Sequence, residues 1–276
     1  MDSDDIDVPD DLSGLEYELS PHDQVIERIR TVVRGVGQTL ISLGIVILLF
    51  VAYELWITDL FNKHTQGQLA NRLSQTWDQG EDPLDQATVG APGEPGTKVR
   101  SIPIGTGIAL IRIPALGLDY VRVIVEGTGE ASLAEGPGHY VDTALPGQVG
   151  NFAIAGHRVG KGSPFLDLDR LRAGDPIVIE TKTSYYIYRV LGDQRTGNPQ
   201  VPDKTTGIPG QEIVDPSDIG VITPTPDKPG AAASGRFLTL TTCHPRFSAR
   251  QRMIIHALQD GAPWPKSKGL PPVLRG

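Results

Sequence analysis

The chain is poor in cysteine, in aromatic residues and in positive charge. It has one cysteine, Cys243, in 276 residues. That excludes an intrachain disulfide framework, and a domain of this length buries enough surface to stand without one. A lone thiol is then either a small buried hydrophobe or a group with a chemical task. Aromatic residues make up only 6%, while glycine numbers 32 and proline 23. Many turns between short strands follow, which favours an all-β module over a helical bundle. The formal net charge of -8 excludes the basic surface of a general nucleic-acid binder, and no nucleic-acid motif occurs. With 39% apolar and 21% charged residues, the composition is that of a folded protein.

Residues 1–34 open with an acidic, polar stretch that contains Asp2, Asp4, Asp5, Asp7, Asp10 and Asp11. It is expected to be a solvated cytoplasmic tail. Residues 35–57 are apolar all round and free of proline, including Leu40, Ile45, Leu48 and Phe50. Roughly 20 residues at about 1.5 Å each cross a hydrocarbon core of about 30 Å, so a transmembrane signal anchor is expected. Tyr53 and Trp56 suit the headgroup region. Arg28, Arg30 and Arg34 precede the run and favour a cytoplasmic N-terminus with the bulk of the chain exported. A cleaved signal peptide is disfavoured, because the run starts late and no small-residue cleavage site follows it. Residues 58–104 are expected to be an extracellular stem that holds the next domain off the bilayer. Leu69, Leu73 and Trp77 at four-residue spacing predict a helix over 65–79, followed by a turn-rich linker at 90–96.

From 105 to 262 the pattern becomes short β-branched runs bounded by glycine, proline and aspartate. The runs are 108–113, 121–125, 151–155, 176–181, 184–191, 236–242 and 252–258. Such spacing predicts a barrel or a sandwich. A long Pro- and Gly-rich segment, 192–235, precedes the cysteine strand and is either one wall of a groove or a solvated insertion. Residues 263–276 are expected to be a C-terminal tail.

Thiol chemistry needs a thiolate, and an unassisted thiol titrates near 8.5. Histidine is the usual proton partner, and arginine suits an oxygen that turns negative. Of six histidines, His22 and His64 flank the span. His244 follows Cys243 and on a strand points to the opposite face. His139 sits in a turn segment, and His256 lies inside an apolar strand where a hydrogen-bonded core role is expected. His157 ends a strand at Gly156, where a side chain overhangs a cleft. Arg246, Arg250 and Arg252 all follow the cysteine, and Arg252 opens the apolar run Met253-Ile254-Ile255.

Three separated segments carry a resemblance. They are Asn151-Phe152-Ala153-Ile154-Ala155-Gly156-His157-Arg158, Thr239-Leu240-Thr241-Thr242-Cys243, and the strand opened by Arg252. Together they resemble the sortases, over roughly 108–258, with Gly136-Pro137-Gly138-His139-Tyr140 in keeping. The Thr-Leu-Thr-Thr-Cys form and the short cysteine-to-arginine spacing look most like class E of actinobacteria, with class D next. His244 is the point of departure, at a position that varies in the family. The resemblance implies a closed β-barrel of about eight strands, with Cys243 as nucleophile, His157 as acid/base and Arg252 as the oxyanion-stabilising group. It implies cleavage of a Thr–Gly bond in a C-terminal sorting signal of the Leu-Ala-x-Thr-Gly or Leu-Pro-x-Thr-Gly kind. A thioester would form and pass to an amine on a peptidoglycan precursor or a pilin. No metal or cofactor is called for; the partners would be surface-protein substrates, the amine acceptor and membrane lipid, with no nucleic acid. The rival readings are another extracellular cysteine hydrolase or L,D-transpeptidase, and a membrane-anchored β-barrel binding module with an inert cysteine. The Ser-His-Gly-Cys box expected of an L,D-transpeptidase is absent.

Overall fold

The computed structural model describes residues 21–86 and 102–275; the acidic residues 1–20, the linker at 90–96 and the side chains of Glu54 and Trp56 lie outside the description. The chain divides into two compact units, Met1–Leu55 and Trp56–Gly276. Helix α1 (Pro21–Asp78) supplies the described part of the first unit and opens the second. The helix expected over 65–79 is therefore the last part of α1 rather than a separate element. Within the first unit, Arg28–Val51 is a run of 24 residues with mean hydropathy 1.9, none of it buried. It starts earlier than the expected 35–57, because Ile29, Val32 and Val33 extend the apolar run among the arginines. By length and composition it is able to cross a membrane.

The second unit is a barrel. Its strands are β1 (Gly107–Arg112), β2 (Val121–Glu126), β3 (Gly138–His139), β4 (Gly150–Ala155), β5 (Pro176–Glu180), β6 (Ser184–Val190), β7 (Gln211–Val214), β8 (Arg236–His244), β9 (Gln251–Gln259) and β10 (Trp264–Pro265). A short helix, α2 (Glu130–Glu135), follows β2. Eight of the strands close a ring in the order β6-β5-β1-β2-β3-β4-β8-β9, and β6 pairs back onto β9 through Tyr188, Arg189 and Val190. The short strands β7 and β10 lie outside the ring, against β9 and β6. Most pairings are antiparallel, but β4 and β8 run parallel over six residue pairs, from Gly150↔Arg236 to Ala155↔Thr241.

Alternation along each strand sorts the residues into two faces. Phe152, Ile154, Leu238, Leu240, Met253, Ile255 and Ala257 point into the barrel core with Ile111, Ile177 and Tyr188. The alternate residues of β4, β8 and β9 face outward: Asn151, Ala153 and Ala155; Thr239, Thr241 and Cys243; Arg252, Ile254 and His256. Most of these outward residues are nevertheless buried, so other segments cover that outer face.

Two segments expected to be peripheral pack on the barrel. Leu69 and Leu73 of α1 are buried against Val123 and Val125, with Trp77 beside them. Gln66 accepts a hydrogen bond from the Val123 amide at 2.8 Å, which satisfies a strand group that the sheet leaves open. This part of the expected stem is thus built into the barrel wall. The tail is tied down as well, since Trp264 pairs with Tyr185 and Lys266 reaches Glu180 at 2.7 Å. His139 belongs to β3 and is a buried structural residue, with Nδ1 2.8 Å from Glu126 Oε2. Segment 192–235 contains β7 and a 3-10 turn at Gly220–Ile222. Its carbonyls at Val221 and Thr223 accept hydrogen bonds from the Asn151 side chain at 3.2 and 3.0 Å. It is one wall over the outer face of β4 and β8, not a free insertion.

The helix contact is testable. Leu73→Ala empties a site that is 3% exposed and should cost the folded protein about 2–5 kcal/mol. Urea unfolding in detergent checks it; unchanged stability would show that the helix only rests on the barrel.

Candidate active site

The parallel register of β4 and β8 governs this end of the barrel. Beyond Ala155↔Thr241 it continues through two backbone-linked contacts. The Gly156 amide donates to Thr241 O at 3.0 Å, and the Thr242 hydroxyl donates to Gly156 O at 2.8 Å. The next rung sets His157 beside Cys243, and the one after sets Arg158 beside His244. That last pair is in contact, with Arg158 Nη1 2.7 Å from His244 Nδ1. On the other side β9 pairs with β8 so that Cys243 lies opposite Arg252. Cys243 and Arg252 are thus a cross-strand pair on the outer face, and His157 follows two residues after the last β4–β8 pair, Ala155↔Thr241.

Gly156 has a steric reason for being glycine: a Cβ there would meet the Phe165 ring at 2.5 Å. The ring packs under the turn that lifts the chain out of β4, and the Phe165 amide bonds His157 O at 3.1 Å. The outer-face floor next to this pair consists of small or polar residues. Ala153 and Ala155 are buried, and Thr241 Oγ1 is 3.0 Å from the Tyr140 hydroxyl.

The electrostatics set His157 apart. Its Nε2 is buried and, among the described residues, has no hydrogen-bond partner. Burial pushes its pKa below the ordinary histidine value and Lys161 pushes the same way, while Glu130 opposes them. The imidazole is thus neutral at neutral pH with one nitrogen uncommitted. Among the described residues no hydrogen bond joins it to the thiol. Arg252 donates from Nη1 to the turn carbonyls of Ala249 and Gln251, at 3.0 and 3.1 Å. Among the described residues, no hydrogen bond links His157, Cys243 and Arg252 to one another.

The opposite face of the same two strand ends holds groups that motif spacing did not single out. Arg158 is 3% exposed, touches His244, and reaches Asp169 Oδ2 at 3.2 Å. Asp169 in turn meets Arg246 at 3.4 Å, and Arg246 also reaches Asp167 at 3.0 Å. The available signal was parity: in paired strands, the residues after His157 and after Cys243 must also be neighbours.

Elsewhere, Glu212, Asp227 and His256 bring potential metal-binding atoms within 4.8 Å of one another. The sequence spacing of Glu212 and Asp227 gave no hint of this. His256 Nε2 lies 3.0 Å from Glu212, and Nδ1 lies 2.9 Å from the Thr239 hydroxyl. The trio is accounted for as a tie between β9, β7 and the covering segment. A cavity of about 320 Å³ lies between α1 and the barrel, lined by Gln66, Ala70, Leu110, Val123, Lys161 and Pro164. It borders the loop after His157 and does not include Cys243.

Comparison with known proteins converges on one family. The family profile described as "Sortase domain" matches residues 111–260. "Sortase SrtE1" of Streptomyces coelicolor is 34% identical over 248 residues, covering 87% of this chain and 60% of that protein, so the chain spans less than two thirds of this relative. Among solved structures, the SrtF sortase from Corynebacterium diphtheriae matches with TM-score 0.56 and 38% identity, over 67% of this chain and 98% of that one. The crystal structure of sortase E1 from Streptomyces coelicolor "with tripeptide in the active site" matches with TM-score 0.51 and 34% identity, over 62% of this chain and 98% of that one.

The electrostatic reading of His157 predicts an NMR titration midpoint below that of an ordinary histidine. Lys161→Gln removes a cation that disfavours the imidazolium, so it should raise the midpoint. A midpoint unmoved in that variant would show that Lys161 exerts no field on the ring.

Proposed function

The chain belongs to the sortase family, and from that premise we propose that it is a membrane-anchored cysteine transpeptidase acting on C-terminal sorting signals. What supports the reading is the pairing of Cys243 with Arg252, together with the β4–β8 register that ends at Ala155↔Thr241, two residues before His157 and Cys243. Arg28–Val51 is the proposed single span. Arg28, Arg30 and Arg34, at the N-terminal end of this run, argue for a cytoplasmic N-terminus and an extracellular catalytic domain.

In the proposed sequence His157 first accepts and then donates a proton in each half-reaction. A sorting signal of the Leu-Ala-x-Thr-Gly or Leu-Pro-x-Thr-Gly kind lies along the outer face of β4 and β8; a tripeptide in the active site of the related sortase E1 is in keeping with this. His157, neutral because burial and Lys161 disfavour its cation, takes the thiol proton as Cys243 attacks the threonine carbonyl carbon. The Arg252 guanidinium swings from the turn carbonyls to the oxygen that becomes negative. Collapse breaks the C–N bond, and His157 gives its proton to the departing glycine amine. An amine on a peptidoglycan precursor or pilin then attacks the thioester carbon while His157 takes a proton from it; the C–S bond breaks and His157 returns that proton to the departing Cys243 sulfur. Hydrogen bonds missing at rest commonly tighten only when substrate is bound.

Mass spectrometry of the protein mixed with sorting-signal peptides tests this. The wild type should gain the mass of the acyl fragment and lose it to an added amine. Cys243→Ala should form no adduct, and Arg252→Ala should slow adduct formation about 10²- to 10³-fold. An adduct on Cys243→Ala, or hydrolysis alone in abundant amine, would overturn the assignment.

A further inference from the structure

We propose that Arg158 is a positioning residue for the reaction, acting through His244 as a buckle behind the catalytic residues. The inference rests on the transpeptidase reading of Cys243 and His157. Arg158 and His244 occupy the rung next to His157 and Cys243 and point to the other face of the same two strand ends. A guanidinium offers only donors, so His244 Nδ1 must accept the 2.7 Å hydrogen bond, and the ring then carries its proton on Nε2. The second arm of Arg158 reaches Asp169 at 3.2 Å. Asp169 also holds Arg246, so the turn between β8 and β9 is anchored to the same carboxylate.

The buckle lies where the sheet itself stops. Backbone pairing of β4 with β8 ends at Ala155↔Thr241, one glycine before His157. From there one backbone hydrogen bond, Gly156 N–H to Thr241 O, the Thr242 hydroxyl and the Arg158–His244 pair hold the two ends in register. Stability alone is a poor reason for such a pair. Arg158 is 3% exposed, and its Nε is buried without a hydrogen-bond partner among the described residues. An apolar side chain of similar volume often fills such a site at no loss of stability. What it would not supply is a directional link between the residue after the base and the residue after the nucleophile.

The test compares R158M, H244L, H244N and the double variant R158M/H244L in the full chain. Asparagine Oδ1 stands in for His244 Nδ1 as the acceptor; leucine does not. Misplacing a base by about an ångström costs on the order of 100-fold. The rate of thioester formation at saturating sorting peptide should therefore fall about 10- to 100-fold in R158M and H244L, with KM unchanged. H244N should recover most of the loss, and the double variant should be no slower than the slower single one. Rates within twofold of wild type, an H244N as slow as H244L, or losses that multiply in the double variant would overturn the proposal. If R158M fails to fold, the H244L and H244N pair decides alone. If wild type forms no thioester, the transpeptidase reading has failed. The rate of Cys243 alkylation by iodoacetamide then decides the buckle: it must change in H244L and return in H244N, and equal rates in all forms overturn it.

Discussion

The parallel pairing of β4 with β8 is secured at both ends by side chains. At the closed end Asn151 donates to Val221 O and Thr223 O and accepts from the Thr239 hydroxyl at 2.8 Å. At the open end the Thr242 hydroxyl bonds Gly156 O, and Arg158 meets His244. Register matters here more than anywhere else in the barrel. A slip of one residue would turn Cys243 toward the core face and His244 toward the cleft. Parallel strands are joined by no tight turn that could set the register, so side chains must do so.

The same pairing gives β4, β8 and β9 an outer face with its own cover. The ring's interior is filled by Phe152, Ile154, Leu240 and Ile255, which leaves no room for a peptide inside. The outer face of β4, β8 and β9 carries Ala153, Ala155 and Thr241, and it is shielded by Tyr140 on one side and segment 192–235 on the other. That face is fully buried at Thr239 and His256 and becomes partly exposed at Cys243. The Glu212–His256–Thr239–Asn151 chain of hydrogen bonds closes the buried end. It fastens β7, β9, β8 and β4 at one level, four residues along β8 from the thiol.

Period and turn chemistry made much of this visible beforehand. The seven runs of β-branched residues correspond to β1, β2, β4, β5, β6, β8 and β9, because each buries one or both faces and so carries its own pattern. The two-residue strands β3 and β10 had no such pattern; they are held by neighbours rather than by their own propensity. Strand β7 was hidden in a Pro- and Gly-rich stretch, since Gln211 and Glu212 look solvated until β9 is placed beside them. Leu69, Leu73 and Trp77 announced a helix face, but not that the face belongs to the barrel. Cys243, His157 and Arg252 stood out by residue type and motif order. Arg158 did not, because a buried guanidinium is indistinguishable from a surface one until its partner His244 is known.

The resting arrangement is better understood as divided than as incomplete. On the Cys243 face the groups are uncommitted: among the described residues His157 Nε2 lacks a partner, and Arg252 leans on the Ala249 and Gln251 carbonyls. On the opposite face every strand end is fastened, through Thr242, Arg158, Asp169 and Arg246. Uncommitted groups cost stability, and rigid ones cost freedom, so the two are separated by the thickness of one strand. Under the proposed reading, an incoming peptide carbonyl would meet donors and a base that need not first break strong bonds. Alternation of side chains along β8 is what allows adjacent residues to serve these opposite ends: Cys243 on the loose face and His244 on the fixed one.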